Sequence, residues 1–319
     1  FRYEVGVDWT SYKDLFEYID KYPNMGFYEQ PLEWGFFYIN RTVSWLGGSY
    51  ALMFFVVALL SWYFIFKSIS LSLLPLLLYF LFVDGFFLWS MNGVRQFVSI
   101  GIFLFSIRFI VTKNLTLYLL CIGLASLFHI SALFLIPLYF VPFQKVYNQK
   151  TWLGIFFLSL ILSNAPFLVD WLERLFLFLS SYIPLFGDYL LYFESQHTEA
   201  IGIQGTGLGY LFRLLVTVFI IVFSREIVKK YPRTEVYFVL FFVGAVLANM
   251  FFTIQIVTRF ARYFLIFRAV VLAVTMYYFF QHDKYHKIIA FIVIGFYLLL
   301  FLNSIYQGDN LSNPFRFNF

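Results

Sequence analysis

The chain has 319 residues, of which 62% are hydrophobic, 24% aromatic and only 12% charged. An average soluble domain is about 45–50% apolar and about 25% charged. There is too little polar surface here to cover a water-soluble globule, which excludes an ordinary soluble enzyme, a disordered protein and a nucleic-acid-binding domain. The net charge of +5 is the lysine and arginine surplus that a membrane protein keeps in its cytoplasmic loops.

A single cysteine, Cys121, excludes internal disulfides and a thiolate metal cluster. The sequence opens on Phe1-Arg2-Tyr3, with no initiator Met and no signal peptide. That suggests a preceding N-terminal segment, such as a first spanning helix.

In chain order, residues 10–22 place Tyr12, Leu15, Phe16 and Ile19 at helical spacing, with Lys13, Asp14, Glu17, Asp20 and Lys21 on the other face. This predicts an amphipathic helix lying on a membrane. Pro31 is placed to start a second helix with Glu33 in its first turn, where the helix dipole favours an acid. A spanning helix needs roughly 20 mostly apolar residues. Residues 50–66, 70–89, 96–111, 207–223, 235–253, 262–280 and 288–304 qualify. The apolar run 115–144 is too long for one span and holds Phe128-His129 in its middle, whereas 152–165 is short. Residues 164–206 mix Asp170, Glu173, Arg174, Asp188, Glu194, His197 and Glu199 with aromatics and read as an external lid or interfacial helix.

The prediction is therefore an all-α, polytopic integral membrane bundle of about ten spanning or half-spanning helices, with external amphipathic helices. Its parts are an external amphipathic segment 1–48, N-terminal membrane helices 49–163, the external segment 164–206 and C-terminal membrane helices 207–319.

The lysines orient the chain. With 1–48 outside and 115–128 and 130–144 as two short helices meeting at His129 near the outer face, eight lysines fall inside and only Lys13 and Lys21 outside. In the competing topology 115–141 is one helix and 166–183 a further span, which puts Lys145 and Lys150 outside.

Charge near a membrane is costly and marks functional candidates. Arg95 opens one helix at the outer face, in Asn92-Gly93-Val94-Arg95-Gln96, and Arg259 and Arg262 begin another, in Arg259-Phe260-Ala261-Arg262-Tyr263. Arg213 and Arg268 lie a little deeper. An arginine fork binds phosphate oxygens bidentately, so the set points to a lipid phosphate or pyrophosphate. Each arginine alone reads equally as one that snorkels to headgroups or pairs with Asp84 or Asp188.

His129 reads either as a base or hydrogen-bonding group for sugar or phosphate, or as a helix-breaking polar residue satisfied by Ser126 or Ser131. Asp8, Glu29 and Glu33 stand among Trp9, Tyr12, Tyr28 and Trp34. Acids among aromatics suit carbohydrate, although any one of them also reads as part of a solvated loop. The glycines between Gly202 and Gly209 follow no strand and are read as a hinge, not a nucleotide fingerprint. There is no HExxH, CxxC or Walker motif, and His197, His282 and His286 are dispersed, so no metal or cofactor is called for.

The motifs Phe1-Arg2-Tyr3-Glu4-Val5-Gly6-Val7-Asp8 with Tyr12 and Phe16, Glu33-Trp34-Gly35-Phe36, Asn92-Gly93-Val94-Arg95-Gln96, Phe128-His129-Ile130-Ser131-Ala132 and Arg259-Phe260-Ala261-Arg262-Tyr263-Phe264 together resemble the EpsG family of bacterial membrane proteins, relatives of the Wzy polysaccharide polymerases. The resemblance implies an N-terminal spanning helix before the first motif and an architecture similar to the GT-C membrane glycosyltransferases. It implies an enzyme of the bacterial cytoplasmic membrane with its active site facing outward. That enzyme joins oligosaccharide repeat units carried on undecaprenyl pyrophosphate, which serve as both donor and acceptor, while a flippase and a chain-length regulator are separate partners.

In that setting Asp8, Glu33 and His129 are the catalytic candidates, with an acid favoured as base and His129 as orienting group. Arg95, Gln96, Arg259, Arg262, Tyr263, Tyr12 and Arg213 are the substrate-binding candidates. The rivals are a flippase or transporter for lipid-linked sugars, disfavoured by the apolar inner halves of the helices, and a membrane acyltransferase with His129 as base. The orientation is testable: a cysteine introduced as Asn148→Cys should be shielded from impermeant thiol reagents in intact cells, and labelling there would select the competing topology.

Overall fold

The computed structural model describes residues 6, 8–24, 26, 33–163, 165–182 and 207–307. Among them every regular element is helical. They form two compact units, one built from Phe1–Val141 and Phe279–Phe319, the other from Pro142–Tyr278.

The first unit begins with α1 (Trp9–Lys21), which buries Trp9, Phe16 and Ile19 and exposes Asp14, Glu17 and Asp20. This is the amphipathic helix read from the sequence. It packs on α2 (Trp34–Trp45). Arg41 of α2 donates to the carbonyls of Ile19 (3.0 Å) and Tyr22 (3.1 Å), supplying charge and donors where the end of α1 lacks them. Ser44 adds a 2.6 Å bond to Asp20. Next come α3 (Tyr50–Ser68), α4 (Leu74–Val83), α5 (Phe86–Ser90), α6 (Val94–Val111) and α7 (Leu115–Ser126), then a 3-10 helix over Ile130–Phe140. Seventy-two per cent of the apolar window of α6 is buried, against 22% for α3. The central place of α6 follows, with α3 and α7 packed on it.

The predicted span 70–89 is instead two helices. It breaks at Asp84-Gly85, where Gly85 takes φ +84°, a conformation open to glycine. The run 115–144 does divide at His129, whose extended backbone (φ −157°, ψ 110°) separates α7 from the 3-10 helix. Pro137 inside that second piece lacks an N–H and biases its predecessor away from α geometry.

The second unit holds α8 (Phe143–Val146), α9 (Gln149–Ile161), α10 (Pro166–Ser180), α11 (Leu208–Lys230), α12 (Glu235–Met250), α13 (Gln255–Leu265) and α14 (Phe267–Phe280, whose last turn passes into the first unit). Polar bonds tie helices that are otherwise apolar. Asn249 donates to Ser159 Oγ (3.1 Å), Ser163 donates to the Asn249 carbonyl (2.8 Å), and Tyr147 donates to Ser224 Oγ (2.8 Å). The chain closes in the first unit with α15 (Lys284–Gln307), laid on α4 through Tyr79, which donates to the Ile294 carbonyl at 2.6 Å.

Among the described residues four helices are long and apolar enough to cross a membrane: Tyr50–Ser68, Val94–Val111, Ile256–Phe280 and Lys284–Gln307. The pair Gln149–Ile161 and Pro166–Ser180 makes a fifth if it is one broken span. Full spans are thus fewer than the ten or so spanning or half-spanning helices expected, and shorter apolar helices stand beside them. Leu74–Val83, Leu115–Ser126, Ile130–Phe140 and Glu235–Met250 are apolar but too short to cross alone, and α11 carries Arg213, Arg225, Glu226, Lys229 and Lys230. Residues 166–180, predicted as part of an external segment, form a helix whose Leu168, Val169 and Leu172 pack on Phe251, Ile254 and Val257.

Lipid tails are as apolar as leucine, so close approach of backbones matters more here than area buried. A Cβ on Gly101 of α6 would lie 2.9 Å from the Ser61 carbonyl of α3. Gly101→Leu is expected to destabilise the protein by about 1–3 kcal/mol, read as a lowered melting temperature in detergent.

Candidate functional site

Two close approaches shape the site in the first unit. Gly35 donates its backbone N–H to the Leu127 carbonyl at 2.7 Å, and a Cβ on Gly35 would stand 2.8 Å from that same oxygen. Only glycine lets the start of α2 lie against the bend at Leu127–Phe128. Gly93, before α6, is closed over by the Trp89 ring, 2.5 Å from where its Cβ would be. That turn sets Arg95 in the first turn of α6.

The result is a cluster around one carboxylate. Glu33 precedes α2 and accepts from Phe37 N–H through its backbone carbonyl, but its side chain makes no capping bond and is available elsewhere. The sequence had placed it inside the first turn. One carboxylate oxygen pairs with Arg95 Nη1, and the other lies 3.1 Å from His129 Nδ1. These contacts join positions 62 and 96 residues apart in the chain. Tyr12 of α1 hydrogen-bonds Arg95 and packs edge-on against Phe36 at 5.6 Å, while the Arg95 guanidinium stands 6.0 Å from the same ring. The side chains of Arg95, His129 and Glu33 are 30%, 25% and 15% exposed, so the cluster can be reached from outside.

Burial pushes the Glu33 carboxyl up. The His129 hydrogen bond and the Arg95 charge outweigh it and hold the group below the ordinary value of 4.5. Burial raises the Tyr12 hydroxyl, against the opposing Arg95 charge.

The structure thus unites four predicted site residues, Tyr12, Glu33, Arg95 and His129. Asp8 is exposed at the start of α1, near enough for its charge to act on Tyr12. Gln96 is buried beside Arg95. The polar partner of His129 is Glu33; the nearby Ser126 hydroxyl turns back to the Gly123 carbonyl. Arg95 likewise pairs with Glu33 rather than Asp84. Glu29, Pro31, Asp188 and the glycines from Gly202 to Gly205 lie outside the described residues.

The other predicted binding residues belong to the second unit. Arg259 is exposed and Arg262 half-buried one turn later on the same face of α13, with Arg268 of α14 and Arg259 both close enough to repel Arg262. Arg213 lies in α11. Tyr263 is fully buried against Phe260, which makes it part of the packing beneath the arginines. Gly35 and Phe36 were quoted in a motif but given no role. The available signal was a glycine set among aromatic residues, which marks a close approach. The histidines read as dispersed are partly brought together: His282 and His286 stack at 5.3 Å, with Asp283 bonded to His286 at 2.9 Å.

A helical chain with several helices long and apolar enough to cross a membrane is of the membrane-protein class, and its first unit carries a partly exposed carboxylate–imidazole–guanidinium cluster. The chain belongs to the EpsG family, whose model matches residues 1–317, a family whose usual role is Wzy-like polysaccharide polymerisation. Comparison with curated proteins and with solved structures gives no match.

A double-mutant cycle with Arg95→Met and Glu33→Gln, read by thermal unfolding at pH 7, should give a coupling of about 1–3 kcal/mol. Because the folded carboxyl titrates below its ordinary value of 4.5, this stabilisation is present above that value and should fade as the pH falls through the folded one.

Proposed function

We propose that this protein is a polysaccharide polymerase of the bacterial cytoplasmic membrane, joining oligosaccharide repeat units carried on undecaprenyl pyrophosphate at the outer face. The observation that carries this reading is the Glu33 carboxylate held by Arg95 on one side and His129 on the other. A GT-C-like architecture belongs to the proposal.

The geometry supports a division of labour opposite to the one favoured from sequence. Glu33 stays ionised near neutral pH and is occupied by two partners, which suits an orienting group more than a base. It accepts a hydrogen bond from His129 Nδ1–H, and this tautomer leaves the lone pair on Nε2. His129 Nε2 takes the proton from the acceptor hydroxyl. The hydroxyl oxygen forms its bond to the anomeric carbon of the donor, and the bond from that carbon to the pyrophosphate oxygen breaks. The electron pair departs on the pyrophosphate, whose charge Arg95 meets. Tyr12 and Phe36 hold the guanidinium in place.

Both substrates carry a pyrophosphate. The one beside the base must be the donor's, because the reacting hydroxyl of the acceptor stands a whole repeat unit away from its own carrier. Arg213, Arg259 and Arg262 stay phosphate-binding candidates within their own unit.

The test is a gel of lipid-linked glycan from cells that depend on this protein. Arg95→Ala and His129→Ala should collapse the ladder to a single repeat unit, with His129→Ala lowering the transfer rate about 10²–10⁴-fold. Chains of normal length in both variants would overturn the assignment. A changed acylation pattern on full-length chains would instead mark an acyltransferase, and repeat units trapped at the cytoplasmic face a flippase.

A further inference from the structure

Glu33 has two oxygens and each already has a cationic or donating partner. Arg95 and His129 therefore compete for one negative charge. Among the described residues, Glu33 before α2 meets His129 directly, and Arg95 of α6 holds the other oxygen of the same carboxylate. The flanking helices add no charged side chain, and Tyr118 of α7 is turned away to the Leu135 carbonyl at 2.6 Å.

We propose that Glu33 is a positioning residue that couples capture of a pyrophosphate by Arg95 to the proton affinity of His129. The proposal rests on the assignment of Arg95 to the leaving group and adds a regulation to it. In the resting site Arg95 neutralises Glu33, and the imidazole faces a nearly balanced ion pair. A pyrophosphate offers the guanidinium fork two oxygens and more charge than a single carboxylate. The fork turns to the anion, and the Glu33 charge falls wholly on His129 Nδ1–H. An opposite charge within a few ångströms favours the protonated imidazole, so Nε2 becomes a stronger base once a donor is in place.

Two features permit the exchange. Arg95 keeps 30% of its side chain exposed and so can turn outward. Its remaining contacts, the Phe36 ring at 6.0 Å and the neutral Tyr12 hydroxyl, hold its position without adding a second full negative charge. By reciprocity, a proton on His129 releases Arg95 toward the anion.

The experiment uses the full chain in lipid nanodiscs with labelled histidine. The sequence has four histidines, and the His129 signal is assigned by its loss in His129→Gln. Its protonation midpoint is followed with and without saturating inorganic pyrophosphate. In the native sequence the anion should raise the midpoint by about one pH unit. In Glu33→Gln only the direct effect of the anion on His129 should remain, so the rise should be smaller than in the native sequence. In Arg95→Met the midpoint should already be raised without pyrophosphate, and the anion should add little. Equal rises with Glu33 and with Gln at that position would overturn the coupling while leaving Arg95 as the pyrophosphate ligand. Absence of any pyrophosphate effect in the native sequence would overturn both the coupling and the assignment of Arg95. That first measurement needs no variant, so a substitution that fails to fold does not decide the matter.

Discussion

A carboxylate lodged among aromatic rings must find compensation, because an ion removed from water is stable only with partners of opposite charge or strong donors. Glu33 finds two, on segments far apart in the chain. Much else in the first unit follows from that requirement. Gly35 must be small so that α2 can touch the bend at Leu127, and the backbone must break at His129 so that the imidazole meets the carboxylate. Gly93 must fit under Trp89 so that α6 starts where Arg95 can complete the pair. Arg41 and Ser44 then hold α1 against α2, which brings Tyr12 to the guanidinium.

Away from the site, the helices obey a different physics. Apolar side chains gain little by leaving lipid for protein, so helix contact relies on small residues and sparse hydrogen bonds. Gly101 against Ser61 does this in the first unit, and Gly244, whose Cβ would lie 2.8 Å from the Leu265 nitrogen, does it in the second. The Asn249–Ser159 bond fixes the register of α12 on α9 in a way that interchangeable leucines and phenylalanines could not.

Helix existence was legible in the sequence where period or length spoke alone. The amphipathic period of residues 10–22 gave α1, and the apolar runs gave α3, α6 and α15. The break at His129 was legible too, since a polar residue inside 115–144 had no other place. The break at Asp84-Gly85 was not, because hydropathy sums over a window and a single left-handed glycine barely alters it. At 166–180 a helix was legible both as an interfacial helix and as a span, but its packing on Phe251, Ile254 and Val257 was not, because Asp170, Glu173 and Arg174 interrupt the apolar pattern. Within the site, residue types named the members, but only the fold could show which cation answers which acid. The sequence offers Arg95 Asp84 or Asp188 as an acid partner, and the fold brings it to Glu33. Tyr263 sat in the right motif yet is buried beneath it.

The first unit is interrupted in the chain: residues 142–278 are made between its two parts. Glu33, Arg95 and His129 all precede that interruption, whereas Tyr79, Phe80 and Phe82 of α4 meet Ile294, Tyr297 and Phe301 of α15. During synthesis that cluster can therefore close before residues 142–278 are made, whereas the contact of α4 with α15 has to wait until after them.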